Sequence, residues 1–429
     1  MLNTAPNHLF SGESQSRVQI WAPTLAGALV LVATPAHADQ LKLKPLLDTR
    51  LRYESVDQAG IADKADAATI RLRAGVEAKT GPFALLVEGE GTLALSEDYN
   101  SGLNGKATRP VVPDPQNVEL NRAQVQFTGL SKTVVTLGRQ RINLDDQRFV
   151  GAVGWRQNEQ TFDAARLEYS GVKGLKADLT YAWSQRTIWG VDGGNSFGPA
   201  RQQAVSGDNV FANLGYKTKS WGLTGFVYLV DQDEAAVQAF RLSSQTYGVR
   251  AHAAVPLGKA KLTLTASYAQ QSEYHRNPNS YSADYALGEA MLDVKGFKLT
   301  GGYEVLGADG GVALTSFQTP LATLHKFNGT ADKFLVTPPN GLRDLYFGVS
   351  KAFKIKALPG LNAGVTWHQY KSDRLGLDYG REWNAQAGFK IGKTLGLLAK
   401  YARYERTGAA DFAGDADTEK FWLQLEYSL

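Results

Sequence analysis

The sequence predicts an all-β fold: a single transmembrane, up-and-down antiparallel β-barrel of about 18 strands, with short periplasmic turns and long extracellular loops. Three observations predict it. Polar and apolar residues alternate along short runs that recur through the chain. The connections between those runs are alternately tight and long. Aromatic residues gather near the ends of the runs.

The alternation is the primary signal. In TIRLRAGVEAK, 69–79, Ile70, Leu72, Ala74, Val76 and Ala78 share one parity, and Arg71, Arg73, Gly75, Glu77 and Lys79 share the other. In 244–255, Tyr247, Val249, Ala251, Ala253 and Val255 alternate with Gly248, Arg250, His252 and Ala254. The last run sets Phe421, Leu423, Leu425, Tyr427 and Leu429 against Lys420, Trp422, Gln424, Glu426 and Ser428. A period of two marks a strand with two different environments. Such runs fall near 46–56, 68–79, 82–96, 118–129, 132–142, 160–170, 174–187, 208–217 and 221–231. They continue near 244–256, 259–273, 282–293, 296–306, 343–355, 361–372, 380–391, 394–406 and 418–429. No helical period of useful length interrupts them.

Before the first run, Arg17 precedes the apolar stretch 20–36, which ends in Ala36-His37-Ala38. That is the pattern of an export signal with a small-residue cleavage site. Residues 1–38 are therefore read as a signal peptide and 39–429 as the barrel. The stretch is marginal for the ~20 residues of a spanning helix, and Pro23 and Pro35 interrupt it.

Between the runs, tight turns such as TGP, GLSK, GVKG, PLGK and IGKT alternate strictly with longer segments, 97–117, 143–159, 188–207, 232–243 and 307–342 among them. A barrel with one short-turn end and one long-loop end makes this pattern. An even strand number puts both ends of the sheet on the short-turn side, which the signal peptide places in the periplasm, so the expected location is the bacterial outer membrane. In hydrocarbon every backbone N–H and C=O needs an internal partner, so strands span only in a closed barrel. Closure also removes the edges of so large a sheet.

A secreted sandwich or solenoid would hide its apolar parity inside. Here the polar parity is rich in Arg and Glu. Aromatics stand near run ends at Tyr53, Phe83, Phe127, Tyr169, Tyr181, Trp183, Tyr216, Trp221, Tyr228, Trp367, Trp383, Phe389 and Tyr427, as in interfacial girdles. Both features favour apolar residues outward.

The polar parity then lines an aqueous lumen. It carries Arg50, Arg52, Glu54, Arg71, Arg73, Glu77, Glu88, Glu90, Arg122, Gln124, Arg166, Glu168, Arg250, His252, Glu304, Glu382 and Gln386. Arginines ringing a low-dielectric wall attract anions, and guanidinium grips carboxylate through paired hydrogen bonds. Arg139, Arg141 and Arg403 are also lumen candidates, although each shares parity with apolar neighbours such as Leu137 or Tyr401. For Arg139 and Arg141, either Val135 and Leu137 face inward or a bulge at Gly138 shifts the phase.

Other chemistries find little support. Cysteine is absent, so disulfides and thiolate sites are excluded. A net charge of +4 is too small to point to nucleic acid. The six histidines show no metal-ligand spacing, and no G-x-S-x-G sits in a strand–turn–helix setting. No enzyme activity, cofactor or metal is expected, and Asp145-Asp146 reads as a loop cap or an Arg partner rather than a calcium site.

The run 138–169 resembles the alginate export family of bacterial outer-membrane barrels. The resemblance rests on Gly138-Arg139-Gln140-Arg141, on Asp145-Asp146-Gln147-Arg148-Phe149, and on Trp155 to Asp163. It implies a passive conduit whose basic lumen suits a polyuronate. It also implies that Arg139, Arg141, Asp145, Arg148, Arg156 and Asp163 are pore or constriction residues. The partners expected on this resemblance are the outer-membrane bilayer, the barrel assembly machinery, an anionic sugar polymer or oligomer, and periplasmic polymer-secretion proteins. The alternatives are an uptake porin for anionic or sugar oligomers and a closed structural barrel.

Overall fold

A computed structural model describes residues 40–194, 201–407, 412 and 414–429, so the expected signal peptide, 1–38, lies outside the described residues. The alternating runs become strands: β1 (Lys42–Gln58), β2 (Ala65–Thr80), β3 (Phe83–Ala94), β4 (Asn117–Phe127), β5 (Thr133–Gln140), β6 (Thr161–Tyr169), β7 (Leu175–Arg186), β8 (Ala204–Lys217) and β9 (Trp221–Val230). The rest are β10 (Ser244–Leu257), β11 (Ala260–Glu273), β12 (Ser282–Val294), β13 (Phe297–Leu306), β14 (Leu342–Ala352), β15 (Asn362–Lys371), β16 (Asp378–Ile391), β17 (Leu395–Glu405) and β18 (Thr418–Ser428). Each strand overlaps one expected run.

Every neighbouring pair is antiparallel, and β18 returns to β1 with Leu51 opposite Leu425 and Gln58 opposite Thr418. The 18-stranded sheet is thereby closed. Connections after even strands are short, such as 81–82, 258–259 and 295–296, and those after odd strands include the long segments 141–160 and 307–341.

The barrel is apolar outside. Ile70, Leu72 and Val76 are 37%, 50% and 42% exposed, whereas Arg71 and Arg73 between them are 0% and 6% exposed. Phe83, Tyr181, Trp183, Tyr216, Trp221 and Trp383 stand on the outer face, as a girdle requires. Tyr228 is a correction. It is buried, because β9 puts Phe226, Tyr228 and Val230 on its inner parity, and its ring stacks on Phe226 at 5.0 Å. Leu72 lies near the middle of β2 and faces lipid, so Leu72→Arg is expected to cost ~2–4 kcal/mol. Guanidinium-dependent refolding into lipid vesicles would measure it, and a comparable cost from Thr69→Ser on the inner parity would contradict the orientation.

The apolar core lies within the barrel rather than between sheets. Segments 141–160 and 307–341 fold into the bore from the long-loop end and meet in the bridge between Val150 and Leu321. Their apolar residues pack on the inner wall: Phe149 lies 5.0 Å from Phe226 and 5.2 Å from Tyr285, and Phe334 lies 4.5 Å from Tyr370. This buried surface is what keeps two long connections inside rather than in solvent.

Candidate functional site

A chain segment that enters a barrel brings backbone carbonyls with no strand partner, and these must be satisfied. The inner-wall arginines do this for segment 141–160. Arg50 NH1 donates to the carbonyls of Gly154, Trp155 and Arg156 at 3.1, 3.0 and 3.2 Å. Arg52 NH2 donates to the Trp155 carbonyl at 2.5 Å, and Arg73 NH2 to that of Gln157 at 3.3 Å. Charge pairs complete the attachment. Arg148 Nε donates to Glu304 at 2.8 Å, beside Tyr285 and Asn328, which also donate to Glu304. Arg156 binds Glu54 at 3.4 Å and Asp332 at 2.8 Å. Trp155 is held by rings and cations: Arg52 and Lys400 each lie 4.1 Å from its ring centroid, and His325 stacks on it at 4.3 Å.

Beneath this segment Arg71, Arg73, Arg122 and Arg141 line one cavity of about 400 Å³ with Asp48, Glu88, Glu159 and Glu426. The pairs are specific. Arg71 meets Asp48, Arg73 meets Glu90, and Arg122 grips Glu88 at 2.8 and 2.6 Å. Glu159 is the hub: it accepts from Arg141 Nε at 2.8 Å and Asn121 at 2.7 Å, and pairs with Arg73 at 3.2 Å. Burial pushes its carboxyl up, but the guanidiniums of Arg73 and Arg141 outweigh that and hold it down at about 2.

Segment 143–147 borders this cavity and two others. Asp146 lines a space of about 530 Å³ with Arg250, Glu289, Glu304 and Asp344. Asp145 lines one of about 210 Å³ with Asp178, Asn213 and His252. Asp146 pairs with Arg250 at 2.8 Å, and Asp145 accepts from Asn213 at 2.8 Å. Nearer the short-turn end, Arg166 binds Asp178 at 3.0 Å and Glu168 at 3.3 Å, Glu168 also meets Lys176, and Glu77 meets Lys79 at 2.7 Å.

Three expected lumen residues are placed differently. The β5–β6 ladder runs without a shift through Gly138 to Gln140, so Arg139 keeps the parity of Leu137, which is 56% exposed on the outer wall. Neither expected resolution of the phase conflict occurs. Asp163 lies opposite Arg139 on the same outer parity and binds it at 2.7 Å, with Arg186 at 3.4 Å. Gly138 has φ +112°, and a Cβ there would lie 2.3 Å from the Ala123 carbonyl. The phase changes only after β5 ends, which is how Arg141 reaches the lumen. Arg403 stands opposite Trp383 with no break in register and has a side chain 56% exposed, paired with Glu405 outside the barrel.

Several residues of the site were not named as pore candidates from the sequence: Asp114, which meets Arg52 at 3.5 Å and accepts from Gln157 N–H at 2.9 Å, and Trp155, Glu159, His325, Asp332 and Lys400. Trp155 and Glu159 fall in the family-like run. Lys400 could have been read from parity, since it alternates with outward apolar residues, as Lys420 was; Lys420 meets Asp332 at 3.0 Å. Asp332 and His325 carry no local signal; their partners are distant in the chain.

Comparison with known proteins now bears on this arrangement. Residues 44–185 match the Alginate export family. No curated protein matches. Among solved structures, OpdL of Pseudomonas aeruginosa is 17% identical, with 90% of this chain and 99% of that chain covered at a TM-score of 0.64. OccK9 (OpdG) of the same organism is 17% identical, with 90% and 98% covered at 0.68. The outer membrane protein OpdK, also of P. aeruginosa, is 14% identical, with 90% and 98% covered at 0.65. At such identities the likeness is one of fold. By that fold and its apolar exterior the chain is a closed 18-stranded β-barrel of the outer-membrane kind, similar over residues 44–185 to the Alginate export family.

Proposed function

We propose that the chain is a passive outer-membrane conduit for anionic solutes, foremost an acidic polysaccharide or its oligomers. One observation carries this reading: Arg71, Arg73, Arg122 and Arg141 converge on a single cavity. Arg71 Nε and NH1 are buried with no hydrogen-bond partner among the described residues, so the guanidinium's charge is not spent on local hydrogen bonds and acts on the cavity as a field. The carboxylates around the same cavity keep any one position shallow. A polymer carboxylate would move by exchanging with them, as conduction requires. The family match supports a polyuronate, and OpdK has been solved with vanillate, itself a small carboxylate. On this reading the barrel assembly machinery inserts the chain, and a periplasmic secretion protein delivers the polymer. Uptake of anionic or sugar oligomers would use the same contacts, because a passive pore has no intrinsic direction.

The infolded segments 141–160 and 307–341 favour a second reading, a closed structural barrel. Planar-bilayer recording in a salt gradient separates the two. The expected result is an anion-preferring conductance whose preference falls toward unity in Arg71→Gln/Arg73→Gln/Arg141→Gln. Silent insertion would defeat the conduit, and a conductance without ion preference would defeat the anion specificity alone.

A further inference from the structure

The short-turn end carries a second set of cations that the lumen network does not use. Lys42, Lys44, Lys217, Lys261, Lys298 and Lys390 all stand within three residues of the short-turn ends of their strands, on the inner parity. The registers fix this. Lys44 continues the parity of Arg50 and Arg52; Lys298 shares its parity with Thr300 and Glu304. All six are exposed, and none has an ion-pair partner among the described residues. The turns add more: Lys132, Lys173, Lys219, Lys259, Lys295 and Lys393 sit one to a connection around the rim, all exposed. Carboxylates at this level are few. Glu77 is taken by Lys79, and Asp293 lies between Lys261 and Lys298 in the ladder. At the long-loop end exposed charges are paired instead: Asp57 with Lys64, Glu97 with Lys106 and Asp98 with Arg109.

We propose that the short-turn rim is a capture collar for a polyanionic chain, so that the barrel accepts its substrate from that mouth. The proposal rests on the reading of the barrel as an anion conduit and adds the side of entry. Inner parity decides the occupant: these ammonium groups face the mouth of the bore, whereas lipid headgroups would be met by outward residues. Converging like charges around a low-dielectric opening focus the field and raise the local concentration of a counter-ion. The far rim, where such charges are paired, offers no comparable attraction. The collar cannot drive net transport; it sets how often a chain is captured from each side. Each lysine acts as a mobile point charge without fork geometry, which suits capture without retention.

The test uses the full barrel inserted in one orientation in a planar bilayer, with a short oligouronate added to one side at a time. Blockade events from the short-turn side are expected to be about tenfold more frequent than from the long-loop side at low salt. The ratio should collapse at 1 M salt, where screening acts within ~3 Å. Lys261→Gln/Lys298→Gln/Lys390→Gln should lower the short-turn frequency several-fold and leave the dwell time unchanged. An unchanged conductance in 1 M salt, where the lysine field is screened, confirms that the variant has folded. Equal frequencies from both sides, or an unaltered variant, overturn the collar and leave the conduit standing. Sidedness that tracks the anionic lipid content of the bilayer instead of the lysines reassigns the rim to headgroup contact and also overturns it. Absence of any blockade from either side also overturns the collar, and in a channel without anion preference it sinks the anion specificity of the conduit as well.

Discussion

Replacing Glu159 by Gln is expected to be the most damaging single change in the bore. Glu159 is 2% exposed and joins Arg73, Arg141 and Asn121. Gln keeps the shape but removes the charge, leaving two guanidiniums facing one neutral amide. Breaking one side of a buried charge network costs about 3 kcal/mol or more. The loss should appear locally, because segment 141–160 is held by this network and by the inner-wall arginines rather than by the sheet. Single-channel current should fluctuate more, and the reversal potential in a salt gradient should move toward anions as Arg73 and Arg141 lose their partner. An unchanged current trace would show that the hub does not fix the segment. The pH dependence has a definite sign. The folded carboxyl titrates at about 2, below its ordinary ~4.3. Its contribution is therefore complete above the ordinary value and is lost as pH falls toward 2.

Acid should also release segment 307–341, at a higher pH and through His325. The ring is sandwiched between Trp155, stacked at 4.3 Å, and Trp422, edge-on at 5.6 Å. Its Nδ1 lies 2.7 Å from Asp332 Oδ1 and its Nε2 2.7 Å from Lys400 Nζ. Burial holds the imidazole well below its ordinary value; Asp332 opposes that, while Lys400 and Arg156 reinforce it. Asp332 is pushed up by burial but held well below the carboxylate range by His325, Lys420 and Arg156, so it stays ionised and can only accept. The neutral ring therefore donates from Nδ1 and accepts at Nε2. A folded value below the unfolded ~6.5 means that docking is fully stabilised above that pH and weakens below it, by about 1.4 kcal/mol per pH unit until the ring protonates. Protonation sets a cation against Lys400 and Arg156. Open-channel noise should rise as pH falls below the ordinary imidazole value of ~6.5, and His325→Phe, which keeps the stacking, should remove that rise. A rise of the same size in the Phe variant would assign the transition to another group.

How much of this was legible before the structure depends on the range of the signal. The 18 strands were legible because alternation is a local consequence of the pleat, and lipid on one side with water on the other makes it strict. The short-turn and long-loop ends followed from connection lengths. Arg71, Arg73, Arg122, Arg166, Arg250 and Glu304 fell on the inner wall for the same reason. Arg139 and Arg403 were misplaced because a charge outvoted parity, and Asp163 because the family resemblance carried it over: near the rim an outward guanidinium is stable beside a carboxylate, Asp163 opposite Arg139 and Glu405 two residues along the strand from Arg403. Tyr228 was misplaced because an aromatic ring suits a lipid interface and an infolded core equally.

By itself the sequence determined an alternating chain of 18 strands, its inner and outer parities, and therefore a closed wall with charge inside. Only the tertiary structure decided that segments 141–160 and 307–341 enter the bore, and that Arg50, Arg52, Arg73 and Arg156 serve first to hold them. The physical reason is the distance over which each is specified. A strand face is set by neighbours two residues away, whereas the contacts of Trp155 with His325, of Arg148 with Glu304 and of Arg156 with Asp332 join residues far apart in the chain that meet only once the barrel has closed.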